Sequence, residues 1–250
     1  LFGLSNGAKD KDWVLYAAAA DPSIMRNRLM FDTFRDMTGG WSVGSKYVEL
    51  VVNGEYKGVY VLMDKITANE KRVNVAWEQD INGNTTQEGF IVKFDKTDIV
   101  DRYENTSGDQ KTFKSTYSGH DGFRTYDTDI DQRFEIEYPE KEDIQEDGGN
   151  WYDVINFIQG MINNFETALS AGEYQKVQQI IDYESWADWF ILSEYTKNVD
   201  AYRASCVFVY DGTKLKATPL WDQELSFNNQ SVHANRNPGD GGNKGCEKVT

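Results

Sequence analysis

The amino-acid sequence predicts an α+β fold, with an antiparallel, sheet-rich N-terminal half and a mostly helical C-terminal half. Two runs of strand-forming residues flank Asn53-Gly54, and Asn-Gly between such runs is a strong hairpin signal. Apolar residues across 151–169 recur at helical spacing. A second hairpin is predicted around Asp211-Gly212, after the helical region, and it ends at Asp222.

The length and composition favour a globular domain. The chain has 250 residues, of which 39% are apolar and 14% aromatic, enough for a packed core. We expect one domain over residues 1–250, with a sheet-rich lobe over about 1–137 and a helical lobe over about 138–227. Residues 228–250 are expected to form a loop or a truncated end. The chain starts at Leu1 without Met, as after removal of a signal peptide or within a longer gene.

The charge and the rare residue types exclude several classes of function. A net charge of −15 argues against nucleic-acid partners and against docking on anionic membranes. No stretch approaches the roughly 20 apolar residues of a transmembrane span. Two cysteines and two histidines are too few for zinc sites, a disulfide scaffold or a well-supported Ser/His/Asp triad. Any bound metal is therefore expected to have oxygen ligands, and the oligomeric state is left open.

A helix is predicted to begin at Asp21-Pro22-Ser23, with Asp as N-cap and Pro at the first helical position. It is expected to run to about Met37 and to stop at Gly39-Gly40. The expected buried stripe consists of Met25, Leu29, Phe34 and Met37. Arg26 lies beside this stripe, so that it either points into a cleft or pairs with a buried carboxylate.

The remaining elements follow from alternation, turn residues and helical periodicity. Strands are predicted at 46–52, 56–63, 72–77, 89–94, 206–210 and 214–220, and helices at 151–169, 173–181 and 183–195. The polar segment 97–131 is expected to cover a site or to contain short strands. Within it, 127–131 resembles a calcium loop but lacks the required Gly and Glu. Trp186, Trp189 and Phe190 are expected in the core, with a stacking platform for sugars or bases as the alternative.

Asp200, Ser205 and Asp222 form the most informative pattern for chemistry. In protein kinases a catalytic-loop Asp orients the acceptor hydroxyl, a residue five positions later binds magnesium, and a later Asp binds metal too. Asp residues near strands are also common turn and capping residues. Lys65, at a strand end, either neutralises phosphate charge or is simply exposed. The chain has neither a Walker A sequence nor a GxGxxG motif.

Several segments, in order over roughly 11–227, resemble the CotH kinase family, which is named for a spore-coat protein. They are Lys11-Asp12-Trp13-Val14-Leu15, Met25-Arg26-Asn27-Arg28-Leu29, Val48-Glu49-Leu50, Asn53-Gly54-Glu55-Tyr56-Lys57-Gly58-Val59-Tyr60, Asp64-Lys65-Ile66, Tyr138-Pro139-Glu140, Asn198-Val199-Asp200 and Pro219-Leu220-Trp221-Asp222. The resemblance implies an atypical protein-kinase-like fold that transfers the γ-phosphoryl group of ATP to a hydroxyl acceptor, with Mg or Mn.

The resemblance also implies roles for individual residues. Asp200 matches the catalytic acidic residue and Asp222 the metal-binding one, while Ser205 stands where some relatives have Asn. Lys65 and Arg26 lie in motifs expected to reach the nucleotide phosphates.

The chain departs from the family pattern at two places. Many relatives read Trp-Asp-Phe-Asp-Leu where this chain reads Trp221-Asp222-Gln223-Glu224-Leu225, so that Glu224 carries the second charge on a longer arm. Lys93 stands where relatives commonly have an acidic residue, and it is expected to pair with Asp95 or to reposition the phosphates.

Three functions remain open on the sequence. The first is phosphotransfer from ATP to a protein Ser or Thr, with an acceptor protein of unknown identity as partner. The second is a catalytically inactive, extracellular binding module of the same family. The third is a carbohydrate-interacting surface domain stabilised by calcium. The composition and the family resemblance together lead us to expect an extracellular or cell-envelope location.

Overall fold

The computed structural model describes residues 10–96, 111–117, 132–202 and 204–229. The chain divides into two compact units. Unit 1 comprises Leu1–Val73, Ala187–Tyr202 and Pro219–Thr250, and unit 2 comprises Asn74–Trp186 and Arg203–Thr218. In unit 2, the sheet and the helices on both sides of residue 137 share one core; the lobe boundary near residue 137 stays a prediction. The single domain over 1–250 stays a prediction.

Unit 1 is built on a three-stranded antiparallel sheet in the order β1-β3-β2. The strands are β1 (Trp13–Tyr16), β2 (Ser45–Val52) and β3 (Glu55–Asp64). Asn53 and Gly54 join β2 to β3 with φ angles of 53° and 83°, the left-handed pair that a tight hairpin turn requires. The predicted hairpin is therefore confirmed.

Helix α1 (Arg26–Thr38) begins later than predicted. The carboxylate of Asp21 accepts the backbone N–H groups of Ser23 and Arg26, which holds the intervening residues in a turn. The predicted stripe is correct only at Phe34, because Met25, Leu29 and Met37 are exposed. The buried face is Asn27, Met30, Phe31 and Phe34. The sequence carries two overlapping apolar stripes, and this second one packs into the core of unit 1.

Unit 2 contains a five-stranded antiparallel sheet in the order β10-β9-β6-β8-β7 and a separate β4-β5 pair. The strands are β4 (Trp77–Gln79), β5 (Thr85–Glu88), β6 (Phe90–Lys96), β7 (Thr112–Phe113), β8 (Gln132–Tyr138), β9 (Cys206–Tyr210) and β10 (Leu215–Lys216). The described parts of the chain thus combine helices with antiparallel sheets, which confirms the α+β class.

Within the described residues, four helices follow β8: α2 (Lys141–Glu146), α3 (Trp151–Ser170), α4 (Tyr174–Ile180) and α5 (Tyr183–Thr196). The last three match their predicted ranges closely. Helix α3 buries the predicted repeat from Trp151 to Phe165, ending on Ala168 instead of the exposed Leu169. Asn150 caps α3, since its side chain accepts the Tyr152 N–H at 3.1 Å.

Two of the predicted strands are wrong or shorter than expected, and several elements were not predicted. The predicted strand 72–77 is wrong, because Arg72 is buried in ion pairs and only Trp77 enters a strand. The predicted strand 214–220 shrinks to Leu215–Lys216. Elements β1, β5, β8 and α2 were missed, and the calcium-like segment 127–131 lies outside the described residues.

The three aromatic residues of α5 have different environments. Trp186 stacks on Phe208 in unit 2, with ring centroids 5.2 Å apart, and Trp189 packs against the core of unit 1. Phe190 is 39% exposed. The core prediction is confirmed for the two tryptophans and wrong for Phe190.

Candidate functional site

The predicted site residues are divided between the two units. Asp200, Asp222, Glu224, Arg26 and Lys65 belong to unit 1, whereas Ser205 belongs to unit 2. Each set is described within its own unit.

The side-chain amide of Asn198 links the Asp200 loop to the segment that carries Asp222. Its Oδ1 atom accepts the backbone N–H of Asp200 at 3.1 Å. Its Nδ2 atom donates to Gln223 Oε1 at 3.0 Å. Asn198 is 4% exposed, so both hydrogen bonds are shielded from water. One buried side chain therefore holds the backbone of one candidate acid and the neighbour of the other.

Gln223 extends this link to helix α1. Its backbone N–H donates to Asn27 Oδ1 at 2.5 Å, and its Nε2 atom donates to the carbonyl of Trp221 at 2.8 Å. Asn27 and Gln223 are both buried. We refer to Asn27, Asn198 and Gln223 as the amide network. Sequence reasoning missed this network, and treated Gln223 only as a departure from the family pattern.

Asp222 sits in the left-handed backbone region, with φ of 49°. Few non-glycine residues adopt this region, and Asp and Asn do so most readily because they tolerate it sterically and can hydrogen-bond locally. Positive φ also occurs at Lys197 and Tyr202 of unit 1, on either side of Asp200. Sparsely populated backbone conformations concentrate at functional sites, where the surrounding structure enforces them.

Glu224 receives a hydrogen bond from the hydroxyl of Tyr16, which donates to Glu224 Oε2. Burial, followed by this hydrogen bond and the negative charges of Glu224, Asp222 and Asp21, raises the pKa of Tyr16 far above its ordinary value. The phenol therefore keeps its proton and stays a donor. The carboxylates of Asp21, Asp222 and Glu224 concentrate negative charge in unit 1. The sequence analysis did not single out Tyr16, and it predicted Asp21 only as a helix N-cap.

Arg26 has a buried carboxylate as its partner, one of the two alternatives considered for it. Its Nη1 atom pairs with Asp21, whose side chain is 2% exposed, and its Nε atom donates to the Ser226 carbonyl at 3.0 Å. Burial would raise the pKa of Asp21, but hydrogen bonds from Ser23 and Arg26 outweigh it and lower the pKa. A role toward nucleotide phosphates stays a prediction.

Lys65 is exposed at the first position after β3. The preceding Asp64 is buried and pairs with Arg72 at 3.2 Å, both side chains being 0% exposed. Arg72 Nη1 also donates to the Lys65 carbonyl at 3.0 Å. The end of β3 is therefore fixed by buried ion pairing, which leaves the Lys65 side chain facing solvent.

In unit 2 the hydroxyl of Ser205 lies 3.5 Å from Asp95 Oδ2, at the long limit of a hydrogen bond. Ser205 also has positive φ, 54°. Lys93 pairs with Glu135 at 2.9 Å and Glu137 at 3.1 Å on β8, instead of the expected Asp95. Burial would lower the pKa of Lys93, but the two glutamates outweigh it and raise the pKa.

The donor chemistry of unit 1 fits a hard divalent cation. Asp222 and Glu224 supply carboxylate oxygens, which Mg²⁺ and Mn²⁺ prefer. Over the described ranges, no cluster of three or more His, Cys, Asp or Glu is arranged to hold a metal. Two carboxylates still suffice for Mg²⁺, which usually binds one or two together with waters and substrate phosphates.

A cavity of about 280 Å³ lies in unit 2, between β4, the end of β8 and α2. Trp77, Tyr138 and Asp143 are among the residues that line it. None of the predicted site residues does.

Comparison with known protein families identifies a match over almost the whole chain. The family model described as CotH kinase protein matches residues 1–249. No curated protein was found to match the chain. In the part of the chain that the structure describes, none of the helices has the length and apolar character needed to cross a bilayer.

Proposed function

The chain belongs to the CotH kinase family, and from that premise we propose that it transfers the γ-phosphoryl group of ATP to a hydroxyl acceptor with Mg²⁺ or Mn²⁺. We also propose that its fold is an atypical variant of the protein-kinase fold, and that the acceptor is a protein Ser or Thr. The family membership itself supports the coarser statement that this is a kinase-like protein.

The observation that carries the proposal is the Asn198 amide, which binds the Asp200 backbone and the Gln223 side chain at once. Phosphoryl transfer is catalysed mainly by positioning and by electrostatic stabilisation. Such catalysis requires the hydroxyl-orienting acid and the metal-binding acid to be held on a rigid support. The buried amide network provides that support for Asp200 and Asp222.

The proposed roles follow from this arrangement. Asp200 accepts a hydrogen bond from the acceptor hydroxyl and orients it. Asp222 and Glu224 hold the divalent cation, which when bound neutralises charge on the nucleotide phosphates. A metal-binding role of Ser205, which belongs to unit 2, stays a prediction, and Lys65 and Arg26 are proposed as groups acting on the phosphates.

A thermal-shift titration with ATP and Mn²⁺ tests the proposal. Ligand at 100 times its Kd stabilises the native state by about 2.7 kcal/mol, enough to raise the unfolding midpoint by several degrees. We expect this rise in the wild type and its loss in Asp222→Asn, which keeps a side chain suited to φ of 49°. Asp200→Asn should keep the rise and lose phosphate transfer from γ-labelled ATP, measured by autophosphorylation and on Ser/Thr peptides.

Asp36→Asn is the matched control, because it removes the same charge from an exposed position of α1. It should behave as the wild type. No midpoint rise at millimolar ATP and Mn²⁺ would contradict the proposal and favour the catalytically inactive binding module.

A further inference from the structure

Tyr16 and Glu224 are far apart in sequence and are brought together by two independent supports. Tyr16 is the last residue of β1, where it pairs with Val61 of β3, and its ring packs against the core of unit 1. The position of the phenol oxygen is therefore fixed by the sheet and by core packing.

The backbone around Glu224 is held just as firmly. Gln223, the preceding residue, belongs to the buried amide network. The Nδ2 atom of Asn229 donates to the Glu224 carbonyl at 2.8 Å and to the Ala20 carbonyl at 2.7 Å. The contact between Tyr16 and Glu224 thus joins two fixed points of the same unit.

The hydrogen bond leaves one carboxylate oxygen available. Tyr16 donates to Oε2 of Glu224, and within the described segments neither a hydrogen bond nor an ion pair is made to Oε1. Asp222 and Glu224 stand two residues apart in the same short segment, on either side of the buried Gln223.

We infer that Tyr16 is a positioning residue of the metal centre, holding Glu224 through Oε2 so that Oε1 is presented as a ligand beside Asp222. The inference rests on the proposed function, because it assumes that Asp222 and Glu224 bind a divalent cation. Ligating carboxylates generally need such outer-shell hydrogen bonds, and removing one typically weakens metal binding about 10- to 100-fold.

Binding of Mn²⁺ alone, followed by electron paramagnetic resonance of the free ion, tests the inference without relying on activity. Tyr16→Phe removes only the hydroxyl and is expected to weaken Mn²⁺ binding about tenfold. Tyr47→Phe is the matched control, since it removes another tyrosine hydroxyl of unit 1, which donates to the Ile24 carbonyl at 3.1 Å. The control should leave the Mn²⁺ affinity unchanged.

A double-mutant cycle with Glu224→Gln distinguishes positioning from a general structural effect. If Tyr16 acts through Glu224, Tyr16→Phe should change the affinity by less than about twofold when Glu224 is already Gln. An equal loss in both backgrounds, or no loss in Tyr16→Phe, overturns the inference. Should Tyr16→Phe fold poorly, Glu224→Gln alone must still weaken Mn²⁺ binding, and a wild-type affinity of Glu224→Gln overturns the inference.

The inference and the proposed function fail in different ways. A wild-type chain that binds Mn²⁺ and shows the expected cycle, but transfers no phosphate, overturns the proposed function and leaves the role of Tyr16 standing. Mn²⁺ binding with an unchanged Tyr16→Phe affinity overturns only the inference. A wild-type chain that binds no Mn²⁺ overturns both.

Discussion

Replacing Gln223 by Met should destabilise unit 1 substantially. The Gln223 side chain is buried and bonds to Asn198 Nδ2 at 3.0 Å and to the Trp221 carbonyl at 2.8 Å. Methionine has a similar volume but can replace neither bond. Each buried polar group left without a partner costs about 1–3 kcal/mol. With two such groups, and with partial compensation from the apolar side chain, we expect a loss of about 3 kcal/mol in the free energy of unfolding.

Urea unfolding followed by tryptophan fluorescence measures this loss, since Trp189 and Trp221 pack against the core of unit 1. Gln175→Met is the control, because Gln175 is exposed on α4 and its replacement should change stability by less than about 0.5 kcal/mol. Combining Gln223→Met with Asn198→Leu should reveal a coupling of about 1 kcal/mol or more. A loss below about 1 kcal/mol for Gln223→Met, or strict additivity with Asn198→Leu, would refute the role given to the amide network.

Two further changes test buried and half-buried charges. Arg72→Met removes the cation that pairs with the buried Asp64 and should cost about 3–5 kcal/mol at pH 7. Burial raises the pKa of Asp64 and the charge of Arg72 lowers it, so that the pKa should rise further in the folded state of the variant. The variant then gains more stability than the wild type as the pH falls, and the loss measured by urea unfolding should shrink toward pH 5. A loss that grows instead would contradict this sign. Lys93→Met should cost about 1 kcal/mol, less at high salt, because it removes the pairs with Glu135 and Glu137. The affinity of the Lys93→Met variant for ATP with Mn²⁺, measured by calorimetric titration, should equal that of the wild type. A marked fall in this affinity would instead support a role of Lys93 at the nucleotide phosphates.

Elements with strong local signals were predictable from the sequence. The hairpin turn requires two residues with left-handed backbone, and Asn53 and Gly54 adopt this conformation readily. The apolar repeat in α3 extends over more than five helical turns. The buried face of α1 was not predictable, because Met25 and Leu29 form a second apolar stripe beside Met30 and Phe31, and only packing into the core of unit 1 decides between the two stripes. Strand β8 did carry a signal, the alternation of Phe134 and Ile136, which was overlooked beside the long polar segment.

In the candidate site, too, local sequence patterns were predictable and contacts between distant residues were not. Asp200 and Asp222 could be singled out because the order of acids around a hairpin is a local pattern. The function of Gln223 could not be predicted in this way, because its partner Asn27 is 196 residues away in the sequence and its partner Asn198 is 25 residues away. The partners of Lys93 were hidden for a related reason. They lie on β8, a strand that the sequence analysis did not predict.

The left-handed backbone at Asp222 affects how substitutions at this position should be interpreted in an evolving lineage. Gly and Asn adopt φ near 49° at least as easily as Asp. Selection for folding alone would therefore let all three residues exchange freely here. A lineage that retains Asp while excluding Asn and Gly must be under selection for the negative charge itself. A lineage in which Asp, Asn and Gly exchange at this position has retained the turn but not the carboxylate proposed to bind the metal.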